Sequence, residues 1–175
     1  MTEIPSKTIH STPKIKHGLK KLTISVATTP FGRWLVIKFI SRADVWLAHQ
    51  SKGRISFANL AGLPLLVLTS KGAKSGRLRQ TALLYLKDEN RVIVIASRLG
   101  SRRHPHWYYN LTANPEASLF FEGKSGAYLS REAAGKERQV YWESMVELFP
   151  GYDRYKKLAG GRLIPVMVFS PLPTD

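Results

Sequence analysis

The chain contains no cysteine. A disulfide framework, a thiolate nucleophile and a cysteine-ligated zinc or iron–sulfur site are therefore excluded. Long hydrophobic runs are also missing, because the most apolar stretch, residues 34–48, is interrupted by Lys38, Arg42 and Asp44. That stretch is not expected to span a membrane. The first 18 residues contain no continuous apolar segment of the kind found in secretory signals, so a cytoplasmic protein is expected.

Acidic residues are scarce in the N-terminal two thirds of the chain. Residues 1–115 contain 19 Lys and Arg against 4 Asp and Glu, whereas residues 116–175 contain 8 of each. The whole formal net charge of +15 therefore arises before residue 116. An excess of this kind attracts an anionic partner, which is nucleic acid, an anionic membrane surface or a phosphorylated small molecule.

From residue 64 onward, short β-branched runs separated by turns predict a mainly β (α+β) domain. The predicted strands are residues 64–70, 79–87, 91–98, 116–122, 125–132 and 164–170. The predicted helices are residues 106–113, 137–149 and 153–158. Most strands are linked by hairpins and do not alternate with helices, which favours a six-stranded split β-barrel with flanking helices over a βαβ fold.

Residues 1–53 are predicted to form a basic arm and an amphipathic helix that precede the barrel domain at 54–175. The apolar stripe of this helix consists of Phe31, Leu35, Phe39, Ala43 and Trp46. Basic residues flank the stripe, which is typical of a helix lying in a membrane interface. The alternative is that the stripe packs on the barrel and covers the active site.

Residues 69–81, TSKGAKSGRLRQT, join two predicted strands and combine two glycines with four cations. Glycines let backbone N–H groups turn inward around an anion, and the cations neutralise its charge. A solvated basic hairpin loop is the alternative interpretation.

Two further segments could carry chemistry. Residues 96–115 contain His104 and His106, but two histidines two residues apart, without a third ligand at usable spacing, are a weak metal signal, and no metal is expected. Residues 149–166 contain Tyr152 and Tyr155, which are three residues apart on a short helix and can point the same way. A tyrosine hydroxyl can donate a proton, although ordinary packing explains the pair equally well.

Together these segments resemble the deazaflavin-dependent nitroreductases, a family of split β-barrel oxidoreductases that bind coenzyme F420. The resemblance is carried, in the family's order and spacing, by the runs LTSKGAKSGRLRQTALLYL, RVIVIASRLGSRRHPHWYYNLTANPEASL and FPGYDRYKKLAGGRLIPVMVF. It implies an F420H2-dependent reductase that transfers a hydride to a quinone-like, enone or nitro substrate. A basic nucleic-acid-binding module and a split barrel that binds FMN or haem remain the alternatives.

The resemblance also implies the coenzyme-binding residues. A glycine-flanked turn would hold the phosphate and polyglutamate tail, and the segment after the third strand would line the deazaflavin ring. The residues of the turn are Gly72, Ala73, Lys74, Ser75 and Gly76, with Arg79 beside them, and those at the ring are Ala96, Ser97 and Arg98.

For catalysis, the resemblance implies that Tyr152 and Tyr155 deliver a proton on the substrate side of the ring, with Ser97 as the other candidate donor. Phe39, Trp46 and Phe149 would border the substrate pocket. Three positions depart from the family pattern. Family members often have Arg in place of Ala73, usually have Pro in place of Ala82, and in some cases have Tyr in place of Phe149. The expected partners are a small electrophilic substrate, an anionic membrane surface at the inner face of the cell membrane and a second copy of the chain, and no nucleic acid is expected.

Overall fold

The computed structural model describes residues 64–173, which form a six-stranded antiparallel barrel with three helices. The strands are β1 (Leu65–Lys71), β2 (Leu78–Asp88), β3 (Arg91–Ile95), β4 (Glu116–Phe121), β5 (Lys124–Glu132) and β6 (Val166–Pro171). The helices are α1 (His106–Ala113), α2 (Gly135–Leu148) and α3 (Gly151–Leu158). The predicted arm, the N-terminal helix and the boundary at residues 53–54 lie outside the described residues.

The strands are ordered β1-β2-β3-β6-β5-β4, and pairing between β4 and β1 closes the barrel. Each predicted strand is present, and the predicted mainly β barrel is confirmed. The tight hairpin between β4 and β5 turns at Glu122 and Gly123, whose φ angles are 51° and 77°. Two consecutive left-handed residues are the geometry of a two-residue hairpin turn.

Alternation along the strands produces two separate cores. Even-numbered side chains of β3, Val92 and Val94, point into the barrel, whereas Ile93 and Ile95 point outward. The barrel interior is closed by Trp107 and Leu111 of α1, and the outer face of β2, β3 and β6 is covered by α2 and α3. No helix within residues 64–173 is long and apolar enough to cross a membrane.

The predicted third strand was too long at its C-terminal end. β3 ends at Ile95, and residues 96–98 leave the sheet. Arg98 has a φ of 47° and Leu99 a φ of 53°, both in the left-handed region, so the ladder cannot continue through them. Neighbouring strands of the barrel are antiparallel. The same end of the barrel therefore contains the end of β1, the end of β3 and the start of β6.

Candidate functional site

Residues 71–79, which comprise the last residue of β1, the turn after it and the first two residues of β2, are here called the anion loop. Its backbone closes on itself: the Gly72 N–H donates to the Arg77 carbonyl at 2.9 Å, and the Gly76 N–H donates to the Gly72 carbonyl at 2.8 Å. A Cβ atom on Gly72 would lie 2.8 Å from Ser75 Oγ, and Gly76 has a φ of 65°. The positive φ therefore favours glycine at position 76, and a side chain at position 72 would require Ser75 to move.

The anion loop has backbone donors without acceptors in the described residues, and its cations are exposed. The Lys74 and Ser75 N–H groups donate to no group among residues 64–173. The side chains of Lys74, Arg77 and Arg79 are exposed, and no ion pair within the described range involves them. Free N–H groups surrounded by unpaired cations fit a phosphate or a carboxylate-rich tail.

A residue that the sequence analysis did not single out supports the anion loop from below. Asn110 of α1 is buried, accepts a hydrogen bond from the Ala73 N–H at 3.1 Å through Oδ1, and donates to Ser70 Oγ at 3.2 Å through Nδ2. The amide thereby joins the end of β1 to the turn. The sequence feature that could have identified Asn110 is a polar side chain on the apolar face of α1, between Trp107 and Leu111.

The segment after β3, here called the ring loop, contains residues 96–104. Ala96 and Ser97 are buried, while Arg98, Leu99 and Gly100 form a run of three left-handed residues. Left-handed conformations at non-glycine residues cost on the order of 1–3 kcal/mol each and persist only where the surroundings impose them. Such strain is characteristic of functional sites.

Arg162, also not singled out from the sequence, lies beneath the ring loop. Its guanidinium donates to the carbonyls of Ser97 at 2.8 Å, Ser101 at 2.9 Å and Ala96 at 3.4 Å. It also lies 2.9 Å from Nδ1 of His104. Burial lowers the pKa of Arg162 below its ordinary value, and the positive charge of Arg98 acts in the same direction.

The predicted tyrosines are brought together beside this loop. Tyr152 and Tyr155 are 5% and 2% exposed, and their ring centroids are 6.1 Å apart. Helix α3 packs directly on the ring loop: a Cβ atom on Gly100 would lie 2.9 Å from the Tyr155 carbonyl oxygen. Burial, and then the neighbouring Tyr155, raises the pKa of Tyr152, which is therefore protonated at neutral pH.

Phe149 is part of the same aromatic cluster. Its ring meets Tyr152 edge to face at 5.5 Å and lies 6.2 Å from Tyr155, and it is only 6% exposed. In the described part of the chain it packs within the core between α2, α3 and the barrel. The other two predicted pocket residues, Phe39 and Trp46, lie outside the described residues.

The two histidines of the described residues, His104 and His106, belong to no candidate metal site. No group of three or more His, Asp or Glu that could hold a metal ion occurs between residues 64 and 173. His104 instead packs on Tyr108 with a centroid distance of 4.7 Å, and His106 is exposed at the start of α1. Of the family departures, Ala73 is exposed in the anion loop, and Ala82 pairs with Val67 inside the β1–β2 ladder.

Residues 40–171 match the sequence model of the family described as F420H(2)-dependent quinone reductase. A Mycobacterium tuberculosis protein with the provisional name F420H(2)-dependent quinone reductase is 33% identical over 109 residues, which cover 62% of this chain and 91% of that protein. A solved F420-H2 dependent reductase (FDR-A) is 35% identical with a TM-score of 0.57, over 61% of this chain and 94% of that chain. A solved structure described as a domain-swapped dimer is 31% identical with a TM-score of 0.58, over 72% and 98% of the respective chains.

Proposed function

Because this chain belongs to the F420H(2)-dependent quinone reductase family, we propose that it is an oxidoreductase that transfers a hydride from reduced coenzyme F420 to a quinone-like acceptor. The observation that carries this proposal at the level of residues is the anion loop. It offers two N–H groups that have no acceptor among residues 64–173, and exposed cations that form no ion pair there, to a phosphate-bearing coenzyme. When bound, the reduced coenzyme supplies the hydride, and the protein supplies binding, orientation and electrostatics.

The two loops divide the binding of the coenzyme between them. Lys74 and Arg79, together with the N–H groups of Lys74 and Ser75, hold the phosphate and the anionic tail. The ring loop holds the deazaflavin ring with Ala96, Ser97 and Arg98. Both loops leave the same end of the barrel, so one extended molecule can contact both.

Tyr152 and Tyr155 hold the proton that the reduced product needs. Burial raises the pKa of Tyr152, so its hydroxyl carries a proton at neutral pH and does not act as a base. Its ring is buried against Phe149, with the centroids 5.5 Å apart. Ser97 is the alternative donor, because it is buried in the ring loop itself. Phe39, Trp46 and Phe149 are proposed to border the acceptor.

The direct test is turnover by the purified full chain. Reduced coenzyme F420 should be oxidised in the presence of a short-chain quinone, and an enone and a nitro compound serve as alternative acceptors. NADPH and reduced FMN, offered in place of the coenzyme, should give no comparable rate. If NADPH or reduced FMN supports turnover and reduced F420 does not, the proposed coenzyme is wrong.

Two features of the assembly are proposals of the same kind. The basic arm and the apolar stripe of residues 31–46 favour association with an anionic membrane surface, and the similarity to a domain-swapped dimer favours pairing of two copies. Co-sedimentation with anionic and neutral vesicles tests the first, comparing the full chain with a chain that starts at Ser51. Salt-sensitive binding to anionic vesicles by the full chain alone supports membrane association, and a full chain that stays in the supernatant contradicts it.

Light scattering tests the pairing of two copies, and a monomeric mass at micromolar concentration contradicts that pairing.

A further inference from the structure

We propose that Arg162 is a positioning residue for the coenzyme ring: its guanidinium fixes the ring loop in the conformation that receives the deazaflavin. This inference rests on the proposed function for the identity of the ligand. The fixing of the loop itself rests on contacts within the described chain.

The guanidinium is matched to the loop by the number and direction of its donors. Nε donates to the Ser101 carbonyl, Nη2 donates to the Ser97 carbonyl, and Nη1 reaches the Ala96 carbonyl. These three carbonyls flank the left-handed run, so the bonds define where the loop enters and leaves it. A lysine, with one nitrogen at the end of a flexible chain, cannot reproduce such a planar set of donors.

The position of Arg162 is itself set by an unusual turn. Gly160 and Gly161 follow α3 with φ angles of 63° and 84°, which L residues rarely adopt. This turn brings the chain from the helix that carries the tyrosines back under the ring loop, just before β6. Arg162 therefore links the loop to α3, on which Gly100 also packs.

No carboxylate neutralises Arg162 within residues 64–173. All the hydrogen-bond partners of its side chain there are three peptide carbonyls and one neutral imidazole nitrogen. An arginine needed only for stability or solubility would gain as much from a carboxylate or from water. All four contacts of the Arg162 guanidinium are instead with the strained ring loop, as expected of a positioning residue.

His104 makes the arrangement sensitive to pH. Its Nδ1 must be unprotonated to accept the hydrogen bond from Arg162, and protonation would place two cations in contact. Burial, and then Arg162, lowers the pKa of His104, while Glu132 opposes the shift. Among the described residues, the His104 ring contacts Arg162, Tyr108 and Tyr109. Glu132 accepts a hydrogen bond from the Tyr108 hydroxyl, and Arg98 donates to the His104 carbonyl.

The test measures hydrogen exchange at the Gly100 and Ser101 amides, which bond to the Ser97 and Arg98 carbonyls inside the loop. Without coenzyme, Arg162→Met should speed this exchange by about tenfold or more, and Arg162→Lys should not restore protection. Arg154→Met, a control on the exposed face of α3, should leave it unchanged. Unchanged exchange in Arg162→Met overturns the proposal.

The pH dependence separates positioning from a general loss of stability and needs no change at Arg162. In the parent, protection factors at Gly100 and Ser101 should fall as the pH drops below the ordinary pKa of histidine, about 6.5. His104→Asn keeps an acceptor and removes the titration, so its profile should be flat. If the parent and His104→Asn have identical pH profiles, the proposed role of the Arg162–His104 pair is contradicted. This comparison remains valid even where Arg162→Met fails to fold.

Coenzyme titration completes the experiment and distinguishes the two proposals. If the parent binds coenzyme F420, Arg162→Lys should bind it about tenfold or more weakly and Arg154→Lys equally well. Equal affinity in Arg162→Lys overturns the positioning role and leaves the proposed function standing. If the parent does not bind the coenzyme, the proposed function fails, whatever the exchange data show about the loop.

Discussion

The anion loop and the ring loop lie at the same end of the barrel and are built in opposite ways. The anion loop exposes its cations, and its one left-handed residue is Gly76. The ring loop buries Ala96, Ser97 and Gly100 and places two non-glycine residues, Arg98 and Leu99, in left-handed conformations, and its cations Arg102 and Arg103 are exposed only after this run. On the proposed function, the anion loop binds through exposed charge, whereas residues 96–100 of the ring loop present a fixed backbone surface.

The supporting residues differ in the same sense. A neutral amide, Asn110, holds the anion loop through two hydrogen bonds and adds no charge to the loop. A cation, Arg162, holds the ring loop through four contacts. The comparison teaches that salt and loss of charge at the anion loop should weaken coenzyme affinity, whereas loss of the tyrosine hydroxyls beside the ring loop should lower turnover.

The largest expected effect is on turnover at the ring side. Tyr152→Phe and Tyr155→Phe remove only hydroxyls, and general acid assistance is worth about 10²–10⁴-fold, so the double variant should lose turnover in that range. Coenzyme affinity should remain nearly unchanged. Steady-state kinetics with Tyr128→Phe, a tyrosine of β5 in the barrel, as a control would test this. Full turnover in both single variants and the double variant removes the tyrosines as donors.

The next effect concerns charge at the anion loop. Lys74→Ala and Arg79→Ala should each weaken coenzyme binding by about tenfold or more, because a charge-assisted hydrogen bond contributes roughly 1.5–3 kcal/mol. The parent's affinity should fall with rising salt, and the slope should be smaller in each variant. Lys124→Ala, on the exposed β4–β5 hairpin, is a matched control. Binding by both variants equal to that of the parent at low and moderate salt would show that this loop is not the site.

A smaller effect is expected from the support of the anion loop. Asn110→Ala leaves the Ala73 N–H and the Ser70 hydroxyl without their partner, which costs about 1–3 kcal/mol. For a chain of this length, the melting temperature should fall by roughly 2–4 °C per kcal/mol, and affinity should fall several-fold. Asn114→Ala, at the end of α1, should change neither quantity. A parent-like affinity in Asn110→Ala would show that the loop needs no support from α1.

The smallest effect is a gain. Ala73 is exposed in the anion loop where family members often carry arginine, so Ala73→Arg adds a cation without displacing a buried group. An exposed charge pair contributes about 0–1 kcal/mol, so affinity should rise at most about fivefold, and the gain should disappear in high salt. Isothermal titration at two salt concentrations measures it. A loss of affinity would mean that the ligand does not lie over the turn.

The sequence predicted the elements better than the contacts between them. Six β-branched runs identified six strands, because local pattern and burial agree there. The error at the end of β3 arose because Arg98 and Leu99 are left-handed in a loop that contacts the distant Arg162 and α3, and local propensity does not encode such contacts. Among the site residues, the glycines and cations of the anion loop were recognisable from their spacing.

Asn110 and Arg162 were missed for a physical reason. Asn110 bonds to residues 37 and 40 positions away, and Arg162 bonds to residues 58 to 66 positions away. In a chain with 27 Lys and Arg, one further arginine carries no local signal. Polar residues that satisfy distant backbone groups become visible only after the fold brings the loops together.

The most direct test of the central claim is a titration of the purified full chain with oxidised coenzyme F420, followed by absorbance and fluorescence. Parallel titrations use FMN, haem and a short single-stranded oligonucleotide. The account predicts saturable binding of F420, one per chain, that weakens as salt rises and is strongest among the four ligands. Saturation by FMN, haem or the oligonucleotide, with no spectral change on addition of F420, would contradict it.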